Sequence, residues 1–269
     1  MATPSRRIDH HPDPRMSWDP ERHALFDALR RRPAHDLLAA LPTLDPKRIV
    51  DLGCGGGHLS RLLAERWPQA EVLGVDHSPA MLAWAEGTPS RVRWLRADLH
   101  AWRPHWPVDL LISNAALHWL DNHAELFPEL LEAVAPGGVL AVQMPRNADA
   151  PSHALLRETA AAGSWRDRLG GVLRPRPVHA PQDYFDWLAP FAKRVDVWET
   201  EYLQVLHGDA PVFQWLKDSA LVPVMEALRG EELTAFLNAY RERLEAAYPE
   251  RPDGSTLFPF KRLFIVARV

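Results

Sequence analysis

The sequence holds a single cysteine, Cys54, among its 269 residues. That excludes an intrachain disulfide framework and suits a reducing cytoplasm. Positive charge is not in excess either: 31 Lys and Arg stand against 35 Asp and Glu, for a formal net charge of −4. Without a long basic run, a nucleic-acid partner has no electrostatic support. No apolar stretch approaches the roughly 20 residues needed to cross a bilayer, so no membrane partner is expected. The 13 histidines never cluster with acidic or cysteine partners at ligand spacing, and no metal is expected. The opening "MATPSRRIDHHPDPR" lacks an apolar h-region. It reads as a disordered polar tail over residues 1–15, carrying the adjacent His10 and His11, with Met16 as a second candidate start.

What is present is a composition 46 % hydrophobic and 25 % charged, enough for one elaborated domain over residues 16–269. From Lys47 onward, strand and helix patterns alternate. "RIVDLG", "EVLGVD", "RVRWLRAD", "VDLLISN" and "GVLAVQMP" read as five short strands. Between the first two, "HLSRLLAERW" puts Leu59, Leu62, Leu63 and Trp67 on one helical face, and Pro68 ends it. "SPAMLAWAEG" opens with Ser78 as N-cap and Pro79 at the first helical position. "NHAELFPELLEAVAPGG" is a helix stopped by Pro136 and Gly137. Such βα repetition predicts a parallel sheet with helices on both faces. The rhythm then changes. Residues of about 148–190 are helical and irregular, and "RVDVWETEYLQVL" is a long strand. Two helical stretches occupy about 209–249, and "STLFPFKRLFIVARV" closes the chain as a strand. The expected architecture is α/β: a five-stranded parallel core, a terminal strand pair, and a helical cover split across two insertions.

The chemistry concentrates in "DLGCGGGHLSRLL", a glycine-rich loop between the first strand and its helix. A dinucleotide fingerprint needs G-x-G-x-x-G/A. Gly53 and Gly55 satisfy the first two places, but the third is His58. Asp51, two residues before Gly53, would repel a pyrophosphate at the helix N-terminus. The same carboxylate favours an ammonium, and S-adenosylmethionine presents a cationic amino-acid end and a sulfonium without phosphate. Asp76 ends the second strand 21 residues after Gly55, where it can accept the ribose hydroxyls. Asp98 ends the third strand, placed for an adenine amino group, with Leu99 and Met81 flanking the ring. Three acids ending three consecutive strands favour the sulfonium cofactor. Its candidate contacts are Asp51, Gly53, Cys54, Gly55, Asp76, His77, Met81, Asp98, Leu99 and Asn114.

Several stretches carry a more specific resemblance. Over Trp18–Val269, "WDPERHALFDALRRRP", "VDLGCGGGHLS", "DHSPAMLA", "SNAALHWL", "GVLAVQMPRN", "VDVWETEYL" and "DGSTLFPFKRLFIVA" resemble the trans-aconitate methyltransferase family. "NAALHW" and "GSTLFPFKRLF" are its more specific motifs. Gly56 departs from the family, which commonly has proline there, and His23 stands where relatives tend to have tyrosine. The resemblance implies a Rossmann-like class I methyltransferase fold: a mostly parallel seven-stranded sheet with an antiparallel last strand. It also implies methyl transfer from S-adenosylmethionine to one carboxylate of trans-aconitate, giving the monomethyl ester and S-adenosylhomocysteine. A carboxylate is ionised at neutral pH, so no general base is required.

A polycarboxylate acceptor needs cationic partners, preferably arginine. Ligands of this fold sit beyond the carboxyl ends of the parallel strands. An antiparallel last strand begins on that side, which places Lys261 and Arg262 there; side chains alternate, and Arg262 is favoured. The family pattern adds Arg30 as a cofactor-carboxylate or substrate contact, and Tyr202 is a weaker candidate. His118 and Trp119 fall on the methyl path, His118 donating to a substrate carboxylate and Trp119 facing the sulfonium. The competing acceptors are another small carboxylic acid, or a hydroxyl or amine, for which His118 would be the base. A monomer is expected. A cofactor-binding module without turnover and an NAD-dependent dehydrogenase are the remaining readings.

Overall fold

The structure, a computed structural model, describes residues 20–173, 178–217 and 219–269, without the side chains of 20–25 and 27. The expectations for the 1–15 tail, for Met16 and for the His23 side chain fall outside it. Strands β1 (Arg48–Leu52), β2 (Glu71–Asp76), β3 (Arg93–Arg96), β4 (Val108–Asn114) and β5 (Val134–Pro145) appear where the alternating patterns place them. β6 (Arg194–His207) and β7 (Ser255–Arg268) complete a seven-stranded sheet of order β3-β2-β1-β4-β5-β7-β6. The pairs β1–β2, β1–β4, β2–β3 and β4–β5 are parallel, and β7 runs antiparallel to both β5 and β6.

Period-2 alternation explains why the sheet is buried on both sides. Side chains of successive strand residues point to opposite faces. One face carries Val50, Leu111, Leu140, Leu263 and Ile265. It packs on α4 (His123–Glu132) through Leu126, Phe127 and Leu130, and on α7 (Pro181–Leu188) through Tyr184 and Leu188. The other face carries Ile49, Leu110, Ile112, Ala141 and Phe264. It packs on Ala34, Leu37 and Leu38 of α1 (Pro20–Ala39) and on Leu59 and Leu63 of α2 (His58–Arg66). The helix α3 (Pro79–Glu86) begins as its sequence implies, Ser78 Oγ accepting from the Met81 N–H at 3.4 Å and Pro79 at its first position.

β7 changes character along its length. Arg262 to Ala267 are buried on both faces, whereas Leu257 to Lys261 alternate partly buried with buried. The reason is topological: β5 ends at Pro145, opposite Arg262, so the first half of β7 pairs with β6 alone. Pro259 lies in that half, a sheet-edge position of the kind proline tolerates. The projecting hairpin supplies Leu206, Phe258 and Phe260 to a separate apolar core. That core is roofed by α5 (Pro151–Ala162), α6 (Arg166–Leu169), α8 (Pro211–Lys217), α9 (Val222–Ala227) and α10 (Gly230–Ala247). Among the described residues three helices, not the two expected, occupy the second insertion, because the chain turns at 219–221. The helix before β5 also ends earlier than expected, at Glu132: Pro136 and Gly137 belong to a bulged start of β5, where the register with β4 shifts.

Candidate active site

The glycine loop is built by backbone conformations that demand glycine. Gly53 has φ +81°, and a Cβ there would stand 2.1 Å from the Cβ of Ala116. The Gly53 backbone therefore lies directly against the Ala116 methyl in the chain leaving β4. Gly53 and Cys54 both donate their N–H to the Val75 carbonyl, at 2.8 and 3.0 Å. Asp76 Oδ2 accepts from the Gly55 N–H at 2.8 Å and its Oδ1 from the Ser78 N–H at 2.9 Å. A carboxylate has about four acceptor sites, so Asp76 retains capacity for a ligand's hydroxyls. At Gly56 a side chain would meet the Trp84 ring, 2.6 Å from the Cβ position. The departure from proline is thus matched by a tryptophan that occupies the space.

Asp51 is buried beneath this loop and accepts from the Ser60 hydroxyl at 2.6 Å. Burial pushes its carboxyl up to about 7; the Ser60 hydrogen bond opposes this and the charge of Asp76 adds to it. Asn114 ends β4, and its buried Oδ1 has no hydrogen-bond partner among the described residues. The chain then turns through Ala115, whose φ of +55° is unusual for a residue with a side chain. Leu99 is buried, and its Cδ1 lies 3.5 Å from where a Gly53 Cβ would stand. Cys54 is buried, with its thiol pushed up first by burial and then by the charges of Asp51 and Asp76. Asp98 falls two residues beyond the short β3 and is exposed, Oδ1 accepting from the His100 N–H at 3.0 Å. Met81 and His77 are exposed on the same rim, His77 Nδ1 lying 3.6 Å from Asp76 Oδ1.

A second group of residues gathers where β5 and β7 part. Arg262 is 7 % exposed, and among the described residues its Nε has no hydrogen-bond partner. Its guanidinium lies 4.6 Å from the Phe260 ring centroid. Burial pulls its pKa down to about 10; Tyr202 raises it and the nearby charge of Arg30 lowers it. Arg30 itself rests 5.2 Å from the Trp215 ring. Tyr202 does not turn to a cleft: its hydroxyl donates to Asp36 at 2.6 Å, and Arg32 covers its ring at 5.0 Å.

Beside Phe260 lies a cavity of about 230 Å³ bounded by His118, Trp119, Pro145, His153, Arg157 and Phe260. His118 and Trp119 come from a 3-10 turn, Leu117–Trp119, and their ring centroids are 4.8 Å apart. Lys261 is separated from this group by strand alternation. It opens on the opposite side of β7, into a cavity of about 660 Å³ shared with Arg146, His179 and Glu201. His153 and Arg157, four residues apart on α5, were not singled out in the sequence, where a helical i,i+4 pair carries no distinguishing signal. Burial, then the Arg157 charge, pulls His153 down to about 4, so the ring is neutral at pH 7. Gln143 was also missed, although an amide inside the apolar run "GVLAVQMP" was a visible anomaly.

The sheet order, the antiparallel β7 and the acid-rimmed glycine loop define a Rossmann-like class I methyltransferase fold. Residues 49–138 match the family model described as a methyltransferase domain. A solved S-adenosylmethionine-dependent methyltransferase from Mesorhizobium loti superposes with a TM-score of 0.51 at 22 % identity, covering 91 % of this chain and 100 % of that one. Much nearer in sequence is the trans-aconitate 2-methyltransferase of Azoarcus sp. (strain BH72), 49 % identical across 93 % of this chain and 98 % of that protein. The protein of the same name from Streptomyces avermitilis is 45 % identical over 93 % of this chain and 96 % of its own length. The chain belongs to the trans-aconitate 2-methyltransferase family.

Proposed function

We propose that this protein methylates one carboxylate of trans-aconitate with S-adenosylmethionine, releasing the monomethyl ester and S-adenosylhomocysteine. The observation that carries the reading is Arg262, a buried guanidinium that among the described residues has no hydrogen-bond partner at Nε and no ion pair. An unpaired buried cation is costly, and a carboxylate ligand relieves that cost through charge-assisted hydrogen bonds. Arg30 adds a second positive charge nearby. The names of the relatives support the same acceptor.

The loop residues fit the cofactor. Asp51 and the unpartnered Asn114 Oδ1 offer acceptors to an ammonium. Asp76 offers its remaining acceptor sites to ribose hydroxyls, Asp98 accepts from adenine, and Leu99 and Met81 flank the ring. Gly53, Cys54 and Gly55 bring backbone close to the ligand, and His77 edges the site. When bound, S-adenosylmethionine would supply an electrophilic methyl: an ionised carboxylate oxygen would form the new O–C bond in line as the C–S bond breaks, its electron pair leaving on the sulfur of S-adenosylhomocysteine.

This chain's residues then orient and exclude. Arg262 and Arg30 hold carboxylates of the acceptor, and Trp119 and His118 line its approach. Lys261, facing the larger cavity, serves at most as an outer electrostatic attraction, and Tyr202 acts by fixing the helix that carries Arg30. Positioning of this kind is worth roughly 7–11 kcal/mol of barrier in well-oriented systems. The helices over the β6–β7 hairpin keep water from the nucleophilic carboxylate. No base is needed, since nothing is deprotonated. The reading describes a cytoplasmic monomer acting on a free small acid.

Methyl-labelled cofactor offered with a panel of di- and tricarboxylic acids tests it. Label should pass to trans-aconitate as a base-labile ester. Label absent from every acid, or a base-stable product from a hydroxyl or amine acceptor, overturns the reading.

A further inference from the structure

β5 is an interior strand, flanked by β4 and β7, and Gln143 lies near its carboxyl end. Its Cα partners are Asn114 on β4 and Phe264 on β7. Phe264 and Ala141 both belong to the face under α1, so the Gln143 side chain points to that face as well. Asn114 and Arg262 share it by the same alternation. Gln143 is fully buried, and among the described residues neither its amide nitrogen nor its amide oxygen has a hydrogen-bond partner.

An amide in such a place is anomalous. Buried polar side chains are normally bonded, and an unmet donor and acceptor destabilise the fold relative to an apolar residue of the same shape. Methionine or leucine would suit this position better if packing were its whole purpose. The neighbours show what the amide is short of. Arg262 stands diagonally across the β5–β7 ladder, two residues from Phe264, a separation long side chains on one face can bridge. Arg262 also lacks a partner at Nε. Beside them is the equally unpartnered Oδ1 of Asn114. Among the described residues, two unsatisfied donors, Gln143 Nε2 and Arg262 Nε, and two unsatisfied acceptors, Gln143 Oε1 and Asn114 Oδ1, thus gather near the rim of the parallel strands, where ligands of this fold bind.

We propose that Gln143 is a carboxylate-binding residue, its amide N–H completing with Arg262 a receiver for one carboxylate group of a bound ligand. The inference rests on the function proposed above and extends it to a residue with no assigned role. Two ligand carboxylates have the required chemistry: that of the amino-acid end of the cofactor and one of the acceptor's. The receiver forms its hydrogen bonds when the ligand enters, so the ligand-free fold carries the cost of the unpaired amide.

The test uses the full chain with Gln143→Met, an apolar near-isostere, and Gln143→Glu, which supplies Arg262 with an internal counter-ion. Calorimetry measures S-adenosylhomocysteine binding, then trans-aconitate binding to the S-adenosylhomocysteine-loaded protein, and thermal unfolding is followed without ligand. Gln143→Met should weaken one of the two ligands at least tenfold while the ligand-free melting temperature holds or rises. Gln143→Glu should weaken the same ligand further. Loss on trans-aconitate alone assigns the acceptor, and loss on S-adenosylhomocysteine assigns the cofactor's carboxylate. Affinities of Gln143→Met for both ligands within twofold of wild type overturn the proposal. A lowered ligand-free melting temperature with both affinities intact shows a packing role instead and overturns it equally. Wild-type protein that binds S-adenosylhomocysteine but no tricarboxylate refutes the proposed acceptor, while the S-adenosylhomocysteine arm still tests Gln143.

Discussion

Acidifying the protein should weaken its hold on S-adenosylhomocysteine, and Asp51 sets the size of the effect. In the ligand-free protein this carboxyl titrates near 7, because burial, resisted by Ser60 and reinforced by Asp76, favours the neutral form. A ligand ammonium favours the ionised form, so binding selects the carboxylate and releases a proton whenever Asp51 starts protonated. The apparent dissociation constant scales inversely with the competent fraction. With a midpoint of about 7, that fraction falls from about three-quarters at pH 7.5 to about 3 % at pH 5.5, a loss of roughly 25-fold in affinity, or about 2 kcal/mol. The sign follows from the raised pKa: affinity is full above it and declines as pH falls through it. Isothermal titration in two buffers of different ionisation enthalpy measures the affinity and counts the proton. Asp51→Asn should bind more weakly at pH 7.5 and lose most of the pH dependence. Equal wild-type affinity at pH 7.5 and 5.5, with no proton released, refutes the reasoning.

Other outcomes follow from single contacts. Gly53→Ala forces a side chain into a left-handed position 2.1 Å from the Ala116 Cβ. The strain alone costs about 1–3 kcal/mol, and differential scanning calorimetry should show a lower melting temperature together with lost S-adenosylhomocysteine binding. Tyr184→Phe removes the hydroxyl that donates to His123 Nδ1 at 2.7 Å; His123 Nε2 is the protonated nitrogen because it faces the Leu117 carbonyl at 3.0 Å. Losing this hydrogen bond, together with the one the same hydroxyl accepts from the His179 N–H at 3.2 Å, should cost about 1–3 kcal/mol in denaturant unfolding, and no measurable change would contradict the assignment. Phe258→Ala empties the centre of the core beneath the cover, where Phe258 is fully buried against Trp215 and Phe260. A loss of about 3–5 kcal/mol is expected by chemical denaturation.

The parts legible in the sequence were those set by local rules. Consecutive apolar residues in "RIVDL" and "DLLIS" marked strands buried on both faces, and Asp51 ahead of Gly53 exposed the sign of the loop's charge. The distinction between Lys261 and Arg262 was half legible. Alternation requires them to diverge, but which one enters the cleft depends on the register of β7 against β5, where Arg262 meets Pro145. Gln143 was written inside an apolar run, yet its meaning depends on Asn114 and Arg262, which lie 29 residues before it and 119 after it in the chain. Tyr202 shows the opposite failure. A strand tyrosine looked available to a ligand, and tertiary contact gave its hydroxyl to Asp36. The turn between α8 and α9 was missed although Pro223, near the first position of α9, is a helix-start signal in the sequence itself.

The most direct measurement compares ester formation from trans-aconitate by the wild-type protein and by Arg262→Met. A charge-assisted hydrogen bond lost from a buried site is worth about 1.5–3 kcal/mol, so kcat/KM should fall at least tenfold, carried mainly by KM. The ligand-free protein should melt no lower than wild type, since an uncompensated buried charge has been removed. Equal kcat/KM for the two proteins contradicts the claim that this guanidinium is held without an anion in order to receive one.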